Sequence, residues 1–442
     1  MFAAQPELPA RDEWLATLDE ARAQTDKLFD LVSDAALYER PIPERHRIVF
    51  YMGHLEAFDW NLLRELIPHL HSFHPEFDRL FAFGIDPVGG GLPTDRPEDW
   101  PAVAKVHRYN SRIREALDAA LERLTFWRSS FEGYSASALM NVAIEHRLMH
   151  AETLAYMLHQ LPLEQKTRQA SPPAYPAQPL NIGMVGIPGG AATLGLPRDS
   201  ADFGWDNEYD ENTVSVSAFE IDRHKVTNGQ YLAFVDAGGY GDRSLWPEAG
   251  WNWKTERNMM QPLFWKNRNG RWYCRTMFDE LPLPLDWPVY VSHAEAEAYA
   301  RWAGKKLPTE AQWHRAAYGT PEGSERPFPW GSEAPDRVHG YFQFERWDPA
   351  PVNAFPRGDS GFGVAGLMGN GWEWTSSVFG PFEGFQPFPF YPGYSANFFD
   401  SNHYVLKGGS TRAAACLLRR SFRNWFQPHY PYLYAGFRCV AG

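Results

Sequence analysis

The sequence predicts an α domain followed by an α+β domain: a four-helix bundle, then an irregular mixed domain rich in loops. Three observations predict this. Four segments of helical period fall between about Arg11 and Gln160; a proline-rich stretch follows; and beyond it the pattern shortens to alternating runs broken by turns. The 442 residues are enough for two separate cores, and the aromatic residues, 15% of the chain, lie largely in the second half among Gly and Pro.

The first predicted helix, 11–35, is charged and amphipathic, and the second, 44–70, carries a strong apolar stripe. The third, 101–127, alternates charge with Leu and Ala, and the fourth, 136–160, runs without Gly or Pro. The interior of such a bundle is a common place to build a metal site. Between the second and third helices, Ser72 to Trp100 is expected to be a long loop, with Gly84, Gly89, Gly90, Gly91, Pro93 and Pro97; loops of that length are more often functional than idle. Pro172, Pro173, Pro176 and Pro179 mark a linker at 166–182, which divides the chain into 1–165 and 183–442. In the second part Val214–Ile221 alternates as a strand would. Helices are predicted for Asn228–Asp236, opened by Thr227 or Asn228, and for Ser292–Trp302, capped by Ser292 and closed by Gly304.

Charge and cysteine content narrow the function. The net charge is −12 and no run of Lys or Arg occurs, which argues against nucleic acid or an anionic membrane surface and for a small-molecule substrate. The first residues lack a basic start and an apolar stretch, and no apolar run approaches ~18 residues, so a cytoplasmic location is expected. Cys274, Cys416 and Cys439 are widely spaced and form no Cys-x-x-Cys, so they read as small buried hydrophobes and not as a disulfide framework or zinc ribbon.

The candidate site begins with Glu145-His-Arg-Leu-Met-His-Ala-Glu152. His146 and His150 are i and i+4 on a helix, so their side chains stack on one face about 5–6 Å apart. Glu152 lies about 200° round from His150 and is unsuited to complete the set. His54, flanked by Phe50, Tyr51, Phe58 and Leu62 at helical spacing, faces the bundle interior and is the candidate third ligand. Three neutral imidazoles leave coordination positions open and suit iron, zinc, copper or nickel.

The histidine motif on the last bundle helix, with an earlier bundle histidine and a distinctive second domain, resembles the ergothioneine-type sulfoxide synthases, the EgtB-like type. The second domain carries Phe219-Glu-Ile-Asp-Arg-His-Lys-Val-Thr-Asn228, Pro288-Val-Tyr-Val-Ser292, Lys306-Leu-Pro-Thr-Glu310 with Trp313, Gly369-Asn-Gly-Trp-Glu-Trp374, Gly408-Gly-Ser410, Phe422-Arg-Asn-Trp425 and Gly436-Phe-Arg438. The resemblance covers nearly the whole chain. It implies a DinB-like four-helix bundle followed by a formylglycine-generating-enzyme or sulfatase-modifying-factor domain of the C-type lectin fold, with the active site between them. It further implies that His54, His146 and His150 hold Fe(II), that Asn424 and Trp425 receive the trimethylammonium of hercynine, and that O2 is a substrate. Glu152 is assigned an outer-shell role, because ligand histidines need acceptors to orient them.

Several positions depart from the familiar pattern. The arginine-rich loop that reads the carboxylates of γ-glutamylcysteine is replaced by Phe83-Gly-Ile-Asp-Pro-Val-Gly-Gly-Gly-Leu-Pro-Thr-Asp-Arg96. Met149 and Phe426 stand where polar residues often occur, and the stretch Thr375–Phe382 lacks the tyrosine that donates a proton or electron in several members. Either another tyrosine, such as Tyr51, Tyr391 or Tyr394, takes over, or this branch does not need the same proton step. These departures resemble the selenoneine synthase branch, which implies a selenosugar donor; a cysteine- or γ-glutamylcysteine-using sulfoxide synthase is the competing expectation. Two further readings, a formylglycine-type oxidase and a non-catalytic binding module, predict respectively a reactive cysteine pair and no stoichiometric metal.

Overall fold

The computed structural model describes residues 11–67, 70–85, 92–124, 129–169 and 179–442, which form two compact units, Met1–Gln169 and Ala170–Gly442. Gly89, Gly90 and Gly91 of the long loop and Pro172, Pro173 and Pro176 of the linker lie outside the described residues.

The first unit is helical. Its elements are α1 (Arg11–Phe29), α2 (Ile48–Leu63), α3 (Pro75–Phe83), α4 (Val103–Leu121), a minimal hairpin of β1 (Ser130–Phe131) and β2 (Tyr134–Ser135), and α5 (Ala136–Gln160). Helix α5 has the predicted bounds, because Ser135 caps it by accepting the Ala138 N–H and no Gly or Pro interrupts it. The other three are shorter than predicted. Helix α1 stops at Phe29, and Val32 pairs instead with Lys166; α2 ends at Leu63 in a single 3-10 turn.

The predicted loop 72–100 is also partly wrong, since it contains α3. Pro75 at the first helical position, the His74 ring accepting from Phe77 N–H, and acidic Glu76 and Asp78 in the first turn start that helix. Helix α1 packs on α5, and α2 packs on α3, α4 and α5. Helices α2 and α5 are buried on most faces, which places Glu56, Asp59, His54, His146 and Arg147 in an otherwise apolar interior.

The second unit combines short strands with four helices among its described residues. In chain order these are β3 (Met184–Ile187), β4 (Gly190–Leu194), β5 (Asn212–Val216), β6 (Phe219–Asp222), α6 (Asn228–Asp236), α7 (Glu248–Glu256), β7 (Trp265–Arg268), β8 (Arg271–Arg275), β9 (Glu280–Pro282) and α8 (His293–Trp302). They continue with β10 (Lys305–Lys306), α9 (Glu310–Tyr318), β11 (Gly371–Val378), β12 (Tyr404–Gly409), β13 (Asn424–Phe426), β14 (Ala435–Gly436) and β15 (Val440–Ala441). One sheet has the order β10-β15-β6-β3 and another β13-β12-β11-β14; β4-β5 and β7-β8-β9 form smaller sheets.

Helices α6 and α8 match expectation, with capping boxes Thr227/Gln230 and Ser292/Glu295 and with Gly304 at φ +66 behind α8. The single strand expected at Val214–Ile221 is two strands in different sheets, β5 on β4 and β6 on β3. Alternation alone cannot reveal that break.

The motifs of this unit converge on one buried carboxylate. Glu373 accepts from Arg438 at 2.6 and 2.8 Å and from Trp313 Nε1 at 3.1 Å, and it lies 3.1 Å from Lys225 Nζ. Four separated motifs are thereby joined, and the hydrogen-bonded cations hold the Glu373 carboxyl below its usual range despite burial. Asn370, at φ +58, bonds both the N–H and the C=O of Ala350. These residues build the fold.

Candidate metal centre

Helices α2 and α5 bring His54, His146 and His150 together. One ligand-capable atom from each lies within 4.8 Å of the others, and among the described residues this is the His/Cys/Asp/Glu group placed to hold a metal ion. The Nε2 atoms of His146 and His150 are 3.1 Å apart. Two nitrogens each ~2.1 Å from one metal and ~95° apart lie ~3.1 Å from each other, so the spacing fits shared coordination.

The protonation states fit as well. His54 Nδ1 is 2.7 Å from the Phe81 carbonyl oxygen, which can only accept; Nδ1 therefore carries the proton and Nε2 keeps its lone pair. Burial lowers His54 to about 4 against the pull of that hydrogen bond. Burial first, then the neighbouring imidazoles, holds His146 well below the ordinary imidazole value, and burial with His54 and Arg45 does the same to His150. Three neutral nitrogen donors result.

Aromatic rings on α2 set the orientations. Phe58 stacks on His146 with centroids 3.5 Å apart, Phe50 stacks on His54 at 4.8 Å, and Tyr51 stands 5.6 Å from His150. Burial pushes the Tyr51 phenol up to about 12, with the Arg45 charge opposing. Gly53 allows α3 to approach: a Cβ there would meet the Phe81 ring at 2.4 Å. Without that approach the Phe81 carbonyl would not reach His54. The sequence carries no signal for this partner, because it is a backbone oxygen on α3, in a stretch whose Gly and Pro predict a loop.

A buried ion network lies behind the histidines. Arg147, next to His146 on α5, donates to Glu56 at 3.0 Å and to Asp59 at 2.5 Å, both on α2, and to the Leu55 carbonyl at 3.0 Å. Arg114 of α4 binds Glu56 at 2.6 Å and Asp26 of α1 at 2.8 Å. Sequence reasoning missed this network. Its signal was available as Glu56, Asp59 and Arg147 inside apolar helical stretches, where unpaired charge is not tolerated. Glu152 is buried on α5 and is not part of the three-histidine group.

Asn424 and Trp425 belong to β13 in the second unit. Trp425 stacks on Phe379 at 4.3 Å with a 4° interplanar angle, and Tyr394 and Phe398 lie at 5.3 and 5.7 Å. Asn424 Oδ1 accepts from Trp425 N–H at 2.9 Å. Tyr391 is pushed up to about 12 by burial and by Asp206. Among the cysteines Cys439 is buried as expected, Cys274 is half-buried with its thiol raised to about 12 by burial, and Cys416 is exposed, contrary to expectation. In the long loop, Asp95 is bound by Arg40, by Arg47 at 3.0 Å and by Trp100 Nε1 at 2.6 Å.

Buried neutral histidines have a pH consequence. His54 titrates near 4 and His293 near 3 when folded, below the usual unfolded value of 6.5. As pH falls the unfolded chain binds these protons first, so their contribution to stability is complete above about 6.5 and is lost on the way down to the folded values. Each such group contributes about 1.4 kcal/mol per pH unit within its window. The melting temperature of the metal-free protein should therefore drop between pH 7.5 and 5.5; an unchanged value would refute buried neutral imidazoles.

Comparison with known proteins places this geometry in context. Residues 17–154 match the DinB superfamily, and residues 169–442 match the family described as sulfatase-modifying factor enzyme 1-like domain. The hercynine oxygenase of Mycolicibacterium thermoresistibile is 34% identical over 98% of this chain and 95% of its own length. That of Mycobacterium tuberculosis is 35% identical over 95% and 96%. Ergothioneine biosynthesis protein 1 of Neurospora crassa is 27% identical over 99% of this chain and 58% of its own length. Among the described residues no helix is long and apolar enough to cross a membrane.

Proposed function

The chain belongs to the hercynine oxygenase family, in which a DinB-superfamily domain precedes a sulfatase-modifying-factor-type domain, and from that membership we propose that it is a non-haem Fe(II)- and O2-dependent synthase. Its reaction forms a carbon–chalcogen bond at the imidazole ring of hercynine. The observation that carries this reading is the group of three neutral imidazoles on α2 and α5, whose ligand-capable atoms lie within 4.8 Å of one another, with the Nε2 atoms of His146 and His150 3.1 Å apart. Iron, when bound there, supplies the oxygen-dependent oxidation.

The other roles belong to side chains. His54, His146 and His150 are the ligands, framed by α1, α2, α4 and α5 as the bundle, and Glu152 supports them from outside the ligand set. Asn424 and Trp425 receive the trimethylammonium. A quaternary ammonium has no N–H to donate, so aromatic faces and an amide oxygen suit it, and the rings of Phe379, Tyr394 and Phe398 around Trp425 support this role.

For the donor the reading is a selenosugar. A neutral sugar has no carboxylate to be read, and Arg40 and Arg47, the arginines bound to the long loop, are already engaged by Asp95. One observation favours a second donor: Arg45 donates to the Tyr156 hydroxyl at 2.9 Å, and its charge reaches His150, so a single carboxylate such as that of cysteine has a partner nearby. Anaerobic reconstitution with Fe(II), followed by O2, hercynine and a selenosugar, cysteine or γ-glutamylcysteine, decides the matter by mass spectrometry. The expected result is a hercynine–selenium adduct formed faster than either sulfur adduct. No coupled product with any donor would overturn the synthase reading.

A further inference from the structure

In the stretch Trp205-Asp-Asn-Glu208 of the second unit, the last three residues form a single 3-10 turn ahead of β5. None of the four is more than 1% exposed. Burying two carboxylates in one turn costs stability unless both are hydrogen-bonded, so their partners show what the turn holds.

Glu208 holds the chain leading into β13. Its carboxylate accepts from Arg419 Nε at 2.8 Å and from Ser421 Oγ at 2.6 Å, and the Asn207 carbonyl accepts from Arg423 Nη1 at 3.4 Å. Arg423 immediately precedes Asn424, so this end of the turn fixes where Asn424 and Trp425 stand.

Asp206 and Asn207 hold a second segment, the one between β11 and β12. The Ser395 hydroxyl donates to Asp206 Oδ1, and the Asn207 amide donates to Ser395 Oγ at 3.3 Å. Ser395 is wholly buried, follows Tyr394, and opens the 3-10 turn that carries Phe398. Tyr394 also stacks on Trp205 at 4.0 Å. The rings of Tyr394 and Phe398 are the ones 5.3 and 5.7 Å from Trp425. Backbone bonds from Tyr394 N–H to the Tyr391 carbonyl and from Phe398 N–H to the Ser395 carbonyl are local: they shape this segment without tying it to β13. Burial pushes the Asp206 carboxyl up to about 6, with the Ser395 hydrogen bond the first to oppose it. One buried turn thus joins the strand bearing Trp425 to the segment bearing its aromatic neighbours.

We propose that Asp206 and Ser395 are positioning residues for the methylated nitrogen of hercynine: their hydrogen bond sets Tyr394 and Phe398 at the spacing from Trp425 that fits three methyl groups. The proposal rests on the reading of Asn424 and Trp425 as the trimethylammonium pocket. Attraction between a cation and a ring is useful only within about 6 Å of the ring centroid, so a small shift of the segment loosens the hold on a trimethylammonium. An ordinary ammonium is smaller and keeps N–H donors for other partners, so it loses less.

The test is anaerobic calorimetric titration of the full-length, Fe(II)-loaded protein with hercynine and with histidine, which lacks the three methyl groups. The parent is expected to prefer hercynine. Asp206→Ala and Ser395→Ala should each weaken hercynine binding about tenfold, the size of one lost charge-assisted hydrogen bond, while histidine binding changes much less. Asp206→Asn keeps an acceptor for the Ser395 hydroxyl and should keep most of the preference, and the double alanine variant should be no worse than the weaker single one. Trp425→Ala separates the proposal from the reading beneath it. Undiminished preference for hercynine in Trp425→Ala, or none in the parent, would overturn both. Lost preference in Trp425→Ala with parental preference in Asp206→Ala and Ser395→Ala would overturn the positioning role alone. Equal loss for hercynine and histidine in those two variants would do the same, since it would mark a merely structural turn.

Discussion

His146→Ala is expected to reduce bound iron to a small fraction of one per chain and to lower the coupling rate by at least ~100-fold. Losing only an outer partner of a metal ligand costs about 10–100-fold in affinity or activity, and loss of a ligand exceeds that. His146 lies close to both other members of the group: its Nε2 is 3.1 Å from that of His150, and its ring is 5.1 Å from that of His54. The control is His107→Ala, an exposed histidine on α4, which should leave metal content unchanged. Elemental analysis and mass spectrometry of product read both variants. Full iron occupancy in His146→Ala would remove the three-histidine assignment, and no iron in either the parent or the variant would favour a binding module in which these residues only pack.

The second large effect is expected from Arg147→Met. Arg147 is fully buried and bridges from α5 to Glu56 and Asp59 on α2, so it joins the helix bearing His146 and His150 to the helix bearing His54. Glu56 would retain Arg114, but Asp59 would lose its only ion-pair partner among the described residues. Burial and the Glu56 charge already raise the Asp59 carboxyl, opposed first by Arg147 and then by the charge of Arg22. Removing one member of such a pair costs about 3–5 kcal/mol, because an uncompensated charge or a forced protonation remains. Denaturant titration should show that loss, and iron affinity should fall with it as the two ligand helices slip. Adding Asp59→Asn should restore part of the stability by removing the orphaned charge. An additive double variant would mean that Arg147 does not hold α5 to α2.

Much of the site was legible in the sequence because it is local. The i,i+4 spacing of His146 and His150 fixes their common face whatever surrounds the helix, and the apolar neighbours of His54 at helical spacing turn it inward. An uninterrupted run without Gly or Pro made α5 readable, and capping residues made α6 and α8 readable, to within a residue of their bounds. The strand break between Val216 and Phe219 and the helices α3, α7 and α9 were not read, because short elements in an irregular domain owe their state to the sheet or helix they meet.

The sequence by itself determined the order of the two domains, the three histidines and the absence of an arginine-rich loop, since each follows from residue type, spacing and pattern along the chain. Only the tertiary structure decided how the imidazoles are held. The Phe81 carbonyl that fixes the His54 tautomer is 27 positions away, and Arg147 meets Glu56 across 91. Glu373 gathers Lys225, Trp313 and Arg438 from across the second unit. Hydrogen bonds and ion pairs act over a few ångströms in space and are blind to separation along the chain, so a periodic pattern records which face a residue takes but not which partner it finds there.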